Sequence, residues 1–358
     1  MDHALRRGRL AERVTERGLD ALYVTRLPNV RYLTGFSGSN AQALVAARST
    51  VFFTDGRYEE QSRHEVHDLE RQIYLDGSPP LAETVSELGV RRLGFESAGV
   101  TYRQWERLRE ALEGVELVPL DGAVEVLRRR KDEDEVALID AAQRCADVAF
   151  EQVVVGGGLR ERITERELAL ELDLAMRQAG ADDSAFDTIV AFGEHAAEPH
   201  HHPTDRPLRG GDVVKMDFGA LAAGYHSDMT RTVAFGEPDP RLCDIRDVVA
   251  AAQTAGIAAV RPGASAAEVD GAARSIIEEA GYGQSFPHGL GHGVGLEIHE
   301  SPFLRWDLDE VLEPGMVVTV EPGVYIPGLG GVRIEDMVEV TADGGRPIPR
   351  SSKELRPS

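Results

Sequence analysis

Apolar residues recur at Leu5, Leu10 and Val14 among charged neighbours, which predicts a helix over residues 3–18 with those side chains inward. Residues 21–25 predict a strand, and 44–46 with 51–54 predict a hairpin pair. Between 54 and 57 the Asp-Gly pair marks a turn, because Asp bonds its own backbone and Gly tolerates φ > 0. Helical stretches at 81–88 and 102–112 flank a strand at 92–95. This alternation of strand and helix predicts an α/β layered domain.

The pattern changes near 122–134. Residues 128–135 are an unbroken charge run, Arg128 to Glu135, which reads as a solvated face opening a long helix. Its acids fall in the first turn, where the helix dipole favours them. Gly156 to Gly158 punctuate the end of that helix. Thr164-x-x-Glu167 is a capping-box pattern that starts a second helix over 164–180. Strands and Gly-rich turns dominate afterwards, with helices near 240–260 and 265–280.

An internal echo organises this second part. Gly211-Asp-Val-Val-Lys-Met-Asp217 and Gly315-Met-Val-Val-Thr-Val-Glu321 each place a carboxylate at the end of a Val-rich strand. Each acid is followed by x-Gly, and a second acid follows in each case: Asp228 after Asp217, Glu335 after Glu321. Two related strand pairs predict a pseudo-two-fold β core with a polar centre. Residues 331–340 read as one strand, in which Arg333 and Glu335 share a face. The alternative for Glu335 is a surface strand carrying a paired salt bridge.

Histidines gather beside these acids. His288, His292 and His299 stand among glycines that let backbone and imidazole approach a common centre. A phosphate loop is a poor reading, because the Gly spacing fails and no Lys-Ser/Thr follows. Pro199-His-His-His-Pro203 lies just upstream of the Asp217 strand, so one of its histidines could bind a substrate oxygen. Asp217-Phe-Gly219 imitates a kinase magnesium motif, but no His-Arg-Asp occurs in the chain. Four acids with one imidazole suit a hard or borderline divalent ion: Mn²⁺, with Co²⁺ or Zn²⁺ as alternatives. Two ions balance four carboxylates and match a two-metal hydrolytic arrangement.

Composition narrows the classes. The chain has 358 residues, 39 Lys+Arg and 61 Asp+Glu, a net charge of −22. That balance argues against nucleic acid and against anionic membrane surfaces as partners. At this length two domains are expected and no disulfide is needed for folding. The 2 cysteines, Cys145 and Cys243, form no Cys-x-x-Cys, so a reducing, cytoplasmic setting is expected. No apolar run follows Met1, so no signal peptide is expected.

The set Asp217, Asp228, His292, Glu321 and Glu335 resembles the dinuclear ligand set of the pita-bread metallopeptidases, which include methionine aminopeptidase, aminopeptidase P and prolidase. The strings 216–220, 226–232, 288–299, 320–325 and 332–336 are similar to the Xaa-Pro peptidase branch, and 29–40 with 54–58 resemble its creatinase-like N-terminal domain. The resemblance implies an α/β (α+β) chain: a creatinase-like, three-layer N-terminal α/β domain over 1–124, then a pita-bread catalytic domain with a curved antiparallel sheet over 125–358. It implies a homodimer and small proline-containing peptides as substrates.

It also implies roles. Asp217 would chelate one ion, Asp228 and Glu335 would bridge both, and His292 and Glu321 would complete the other. A bridging hydroxide would attack the scissile carbonyl, with Glu321 shuttling its proton. His299 would steady the oxyanion, His200 would contact substrate, and His288 would line the proline pocket. Arg333 would orient the acids or pair with a substrate carboxylate, and Tyr325 is a further orienting candidate. His201 and His202 have no assigned counterpart. The implied activity is Xaa-Pro aminopeptidase, towards which Gly35-Phe-Ser-Gly38 and Thr54-Asp-Gly-Arg57 lean. The alternative is Xaa-Pro dipeptidase. More remote are a metal-free creatinase-like hydrolase and a catalytically silent binding homologue, both of which lose ligands that this chain retains.

Overall fold

The structure, a computed structural model, describes residues 1–75 and 77–356. The chain divides into two compact units, Met1–Arg128 and Arg129–Ser358.

The first unit carries strands β1 (Ala21–Val24), β2 (Gln42–Ala46), β3 (Thr50–Asp55), β4 (Glu70–Tyr74), β5 (Arg92–Phe95) and β6 (Glu116–Pro119). They form one sheet in the order β4-β3-β2-β1-β5-β6. The β2/β3 hairpin is antiparallel, while β5 joins β1, and β6 joins β5, in parallel. Around the sheet run α1 (His3–Glu16), α2 (Leu27–Thr34), α3 (Glu59–Glu65), α4 (Leu81–Glu87), α5 (Tyr102–Ala111) and the single turn α6 (Glu125–Arg128). Ala21, Tyr23, Leu44, Val51 and Phe53 pack with Leu81, Val85 and Leu112 on one face. Leu22, Val24, Val45 and Phe52 alternate to the other face and are equally buried.

Helix α1 corrects one expectation. Leu10 and Val14 are buried, but Leu5 is 51% exposed and Arg6 and Arg7 are buried instead. The cause is the C-terminal end of α2, whose last carbonyls lack intrahelical partners. Arg6 donates to Tyr32 O at 3.2 Å and Arg7 to Leu33 O at 2.8 Å.

The second unit opens with α7 (Glu133–Phe150), which runs on through a wider π turn to Gly158, and α8 (Glu165–Gln178). Strands β7 (Asp183–Ser184), β8 (Ile189–Phe192), β9 (Val213–Phe218), β10 (Ala220–Ala222), β11 (Tyr225–His226) and β12 (Met229–Ala234) follow. Then come α9 (Pro240–Ala259) and α10 (Ala266–Glu279). Strands β13 (Gly291–Gly293), β14 (Glu300–Leu304), β15 (Val317–Val320), β16 (Gly323–Ile326), β17 (Gly330–Arg333), β18 (Asp336–Thr341) and β19 (Gly344–Pro347) complete it. Asp132, Thr164 and Ser265 cap α7, α8 and α10, each with a reciprocating Glu three residues on.

The two halves of the echo each build a hairpin and a core of their own. β9 pairs antiparallel with β12, and Val190, Met216 and Met229 pack with Ala146, Leu168 and Leu172 of α7 and α8. β15 pairs antiparallel with β18, and Val318 and Val338 pack with Val249, Ala252 and Ala273 of α9 and α10. In each half the first acid ends one strand and the second immediately precedes its partner. The glycine after each first acid is required by close approach. A Cβ on Gly219 would lie 1.9 Å from Ser227 O, and one on Gly323 would lie 2.4 Å from the Tyr325 hydroxyl.

Two further expectations change. The 331–340 segment is two strands, because the chain switches partners at Ile334 and Glu335. β17 pairs with β16, Glu335 N donates to Thr230 O at 3.1 Å, and only then does β18 join β15. The 128–135 charge run is a solvated face only in part: Arg130, Asp132, Glu133 and Asp134 are exposed, but Arg128, Lys131 and Glu135 are buried. Arg128 donates to Asn29 Oδ1 at 2.7 Å, Lys131 pairs with Glu300 at 2.7 Å, and Glu135 accepts from the Tyr225 hydroxyl at 2.8 Å. Buried charge is tolerated here because each group has such a partner.

Candidate metal centre

The hairpin ends converge on a cleft of about 420 Å³. His200, Asp217, Asp228, His288, His292, His299, Glu321, Arg333 and Glu335 all line it, so the structure brings every site residue expected from the sequence together. Asp228 and Glu335 are 4% and 1% exposed, so the surface-strand alternative for Glu335 falls.

Hydrogen bonds orient Glu335, Glu321, His292 and Asp217. Thr230, the ladder partner of Asp217 across the β9/β12 pair, donates through Oγ1 to Glu335 Oε2 at 2.6 Å. Thr319 Oγ1 donates to Glu321 Oε1 and accepts from His292 N, both at 3.0 Å. His292 Nδ1 meets Gly293 O at 3.1 Å, which assigns its proton to that nitrogen and turns the Nε2 lone pair inward. Nε2 lies 3.4 Å from Glu321 Oε1 and 3.6 Å from Asp228 Oδ2. Arg333 pairs with Asp217, and it also donates to Thr230 Oγ1 at 2.9 Å, Pro199 O at 3.1 Å and the Tyr325 hydroxyl at 3.0 Å. These bonds tie Arg333 to Asp217 directly and to Glu335 through Thr230.

The electrostatics are strained. Burial pushes the Asp228 and Glu335 carboxyls well above the usual range, and neighbouring carboxylates push them further. Burial pushes Glu321 up to about 7, against the opposing pull of Arg333. One oxygen, Asp217 Oδ1, is buried and meets no hydrogen-bond donor among the described residues. Asp228, His292 and Glu335 offer ligand atoms within 4.8 Å of one another. Carboxylates crowded in this way, with an imidazole nitrogen and an orphaned oxygen facing inward, fit divalent cations.

Burial also lowers His288 to about 4 and lowers His299, so both are neutral at physiological pH. His288 Nε2 meets the Tyr325 hydroxyl at 3.0 Å, and its ring stands edge-on to Phe286 at 4.9 Å.

Sequence reasoning passed over Lys215. It lies two residues before Asp217 on the same strand, is fully buried, and donates to the carbonyls of Glu198 and Pro199. Burial, aided by Arg333, pushes its ammonium down to about 6. Period-two alternation with Asp217 was the available signal. Thr230 and Thr319, each next to an acid-bearing strand end, were passed over too.

Residues 137–342 match metallopeptidase family M24, and residues 6–130 match the creatinase/prolidase N-terminal domain. A Bacillus subtilis protein described as the uncharacterized peptidase YqhT is 44% identical over 340 residues, 94% of this chain and 96% of its own. The Xaa-Pro dipeptidase of Pyrococcus horikoshii is 35% identical over 349 residues, 97% of each chain. Among solved structures, the Xaa-Pro dipeptidase from Bacillus anthracis matches with a TM-score of 0.96 at 41% identity, over 99% of both chains. The X-Pro aminopeptidase from Thermotoga maritima matches at 0.89 and 34%, over 96% of this chain and 99% of its own. This chain therefore belongs to metallopeptidase family M24 and joins a creatinase-type N-terminal domain to a pita-bread catalytic domain. Among the described residues, no helix is long and apolar enough to cross a membrane.

Proposed function

We propose that the protein hydrolyses the bond between an N-terminal residue and proline, with Xaa-Pro dipeptides as its preferred substrates. The observation that carries the hydrolytic reading is the convergence of Asp217, Asp228, His292, Glu321 and Glu335 on one cleft. The dipeptide preference is supported by the two relatives from Bacillus anthracis and Pyrococcus horikoshii that bear that name. The aminopeptidase reading, towards which the sequence leans, is the second one, favoured by the match to the Thermotoga enzyme.

In this reading those five side chains hold two divalent ions, Mn²⁺ first and Co²⁺ or Zn²⁺ as alternatives. The ions supply Lewis acidity and a water that ionises near neutral pH. His299, neutral and 4.3 Å from the His292 ring, donates an N–H towards the substrate carbonyl oxygen. His200 contacts the substrate from its loop. His288, fixed by Tyr325, combines with Phe186, Ile189 and Phe303 of the cleft wall to receive the proline ring. A prolyl amide has no N–H, so an apolar wall leaves no donor unpaired.

The test is hydrolysis of Ala-Pro and of a longer Ala-Pro-Xaa peptide by chelator-stripped protein, with and without Mn²⁺. Metal-dependent release from Ala-Pro alone is the expected result. Cleavage of the longer peptide moves the assignment to aminopeptidase. Inactivity on both, with metal bound, sinks the Xaa-Pro reading.

A further inference from the structure

Behind the segment that carries His200 lies a carboxylate for which the proposed chemistry has no use. Glu165 begins α8, directly after its Thr164 cap, and its side chain is fully buried. Oε1 meets Phe192 N at 2.8 Å and His195 Nδ1 at 2.9 Å. Oε2 meets His201 Nε2 and Thr204 N at 2.9 Å and the Thr204 hydroxyl at 2.6 Å. All of these donors belong to the single stretch 192–204 between β8 and β9. Its second half, 198–204, is turn and coil, with no strand ladder to hold it. From the opposite side Lys215 and Arg333 hold the Pro199 carbonyl, at 3.4 and 3.1 Å. The chain neighbours of His200, Pro199 and His201, are thus both gripped, while His200 itself is exposed to the cleft.

We propose that Glu165 is a positioning residue: by clamping residues 192–204 from behind, it fixes the point from which His200 meets the substrate. This rests on the peptidase reading for the role of His200, but the clamp itself is a property of the loop. A coil cannot place a side chain to a fraction of an ångström unaided, and a misplacement of about 1 Å can cost on the order of 100-fold in rate. Glu165, His195 and His201 also have the proximity of a metal triad. Both carboxylate oxygens, however, already accept backbone or hydroxyl donors from Phe192 and Thr204, which a cation would have to forfeit.

The experiment compares the full-length wild type with Glu165→Gln, and with Thr204→Val as the gentler variant should the first fold poorly. Hydrogen exchange is read over 192–204 and, for reference, over β9 and β12. Kinetics on Ala-Pro are read for Glu165→Gln, His200→Ala and the double variant. We expect faster exchange confined to 192–204 and a kcat/KM roughly 10- to 100-fold lower for Glu165→Gln. In the His200→Ala background the same change should cost less than about twofold, because the positioned group is already gone. Thr204→Val should move both readouts the same way by less.

Unchanged exchange overturns the proposal. So does exchange that rises equally through β9 and β12, and so does a loss that multiplies in full with that of His200→Ala. A third metal ion per chain, lost in Glu165→Gln, overturns it in favour of a metal site. If the wild type cleaves no Xaa-Pro bond, the proposed function fails, and the exchange measurements still decide the clamp.

Discussion

Glu165 and Glu335 are both buried glutamates of the same unit, each with imidazole nearby, yet their surroundings treat the carboxylate in opposite ways. Burial alone raises the pKa of each. At Glu165 the donors from Thr204, Phe192 and His201 outweigh it, and the group sits below the usual range. At Glu335 the charges of Glu321 and Asp217 add to burial, Thr230 and Arg333 offset only part, and the group sits well above it. One centre has more donors than charge; the other has more charge than donors. Proximity of acids and imidazoles therefore does not define a metal site, whereas unmet acceptor capacity does.

The largest expected effect tests the acid-rich centre. Asp228→Asn or Glu335→Gln should lose bound metal, measured by elemental mass spectrometry, and lose activity by about 1,000-fold or more, since metal assistance is worth several kcal/mol. Retention of full metal content by either variant breaks the comparison at its root.

Arg333→Met should be next. It strands Asp217 as a buried charge in the metal-free protein, and urea unfolding should show a loss of about 3–5 kcal/mol. A change under about 1 kcal/mol shows that the pair is solvated after all.

Metal binding should stabilise by roughly 2.7 kcal/mol at a hundredfold excess over Kd. In a thermal melt that is on the order of 2–4 °C per kcal/mol for a unit of this size. Glu165→Gln should keep this increment in full, because its centre takes no ion; its disappearance would merge the two centres into one.

The smallest effect is a pH dependence. The folded-state pKa of Glu165 is depressed, so its stabilisation is complete above its ordinary value of 4.5 and is lost as pH falls through the depressed value. Wild type and Glu165→Gln should differ most at neutral pH in urea unfolding and converge as pH drops below 4.5. A gap that is constant with pH removes the ionised carboxylate from the account.

Glu165 also marks where reading the chain stops. It stands between Thr164 and Glu167, inside a capping box visible in the sequence, and there it passes for one more first-turn acid. Helix caps, Val-rich strands ending in acids and the repeated acid-x-Gly spacing are local patterns, set by periods of 3.6 and 2 and by contacts a few residues apart. From these come α1, α4, α5 and α7–α10, strands β1–β3, β5, β9 and β15, and the echoed acids that meet in the cleft. Tertiary structure decided which charges are buried. Lys131 finds Glu300, Arg333 finds Asp217, and Arg231 finds Asp336, across 100 residues or more in each case. It also decided that Leu5 faces out while Arg6 faces in, and that the 331–340 run breaks at Glu335 to change partners. The free energy of a buried charge depends on partners brought together only by folding, and no local window of sequence contains both members of such a pair.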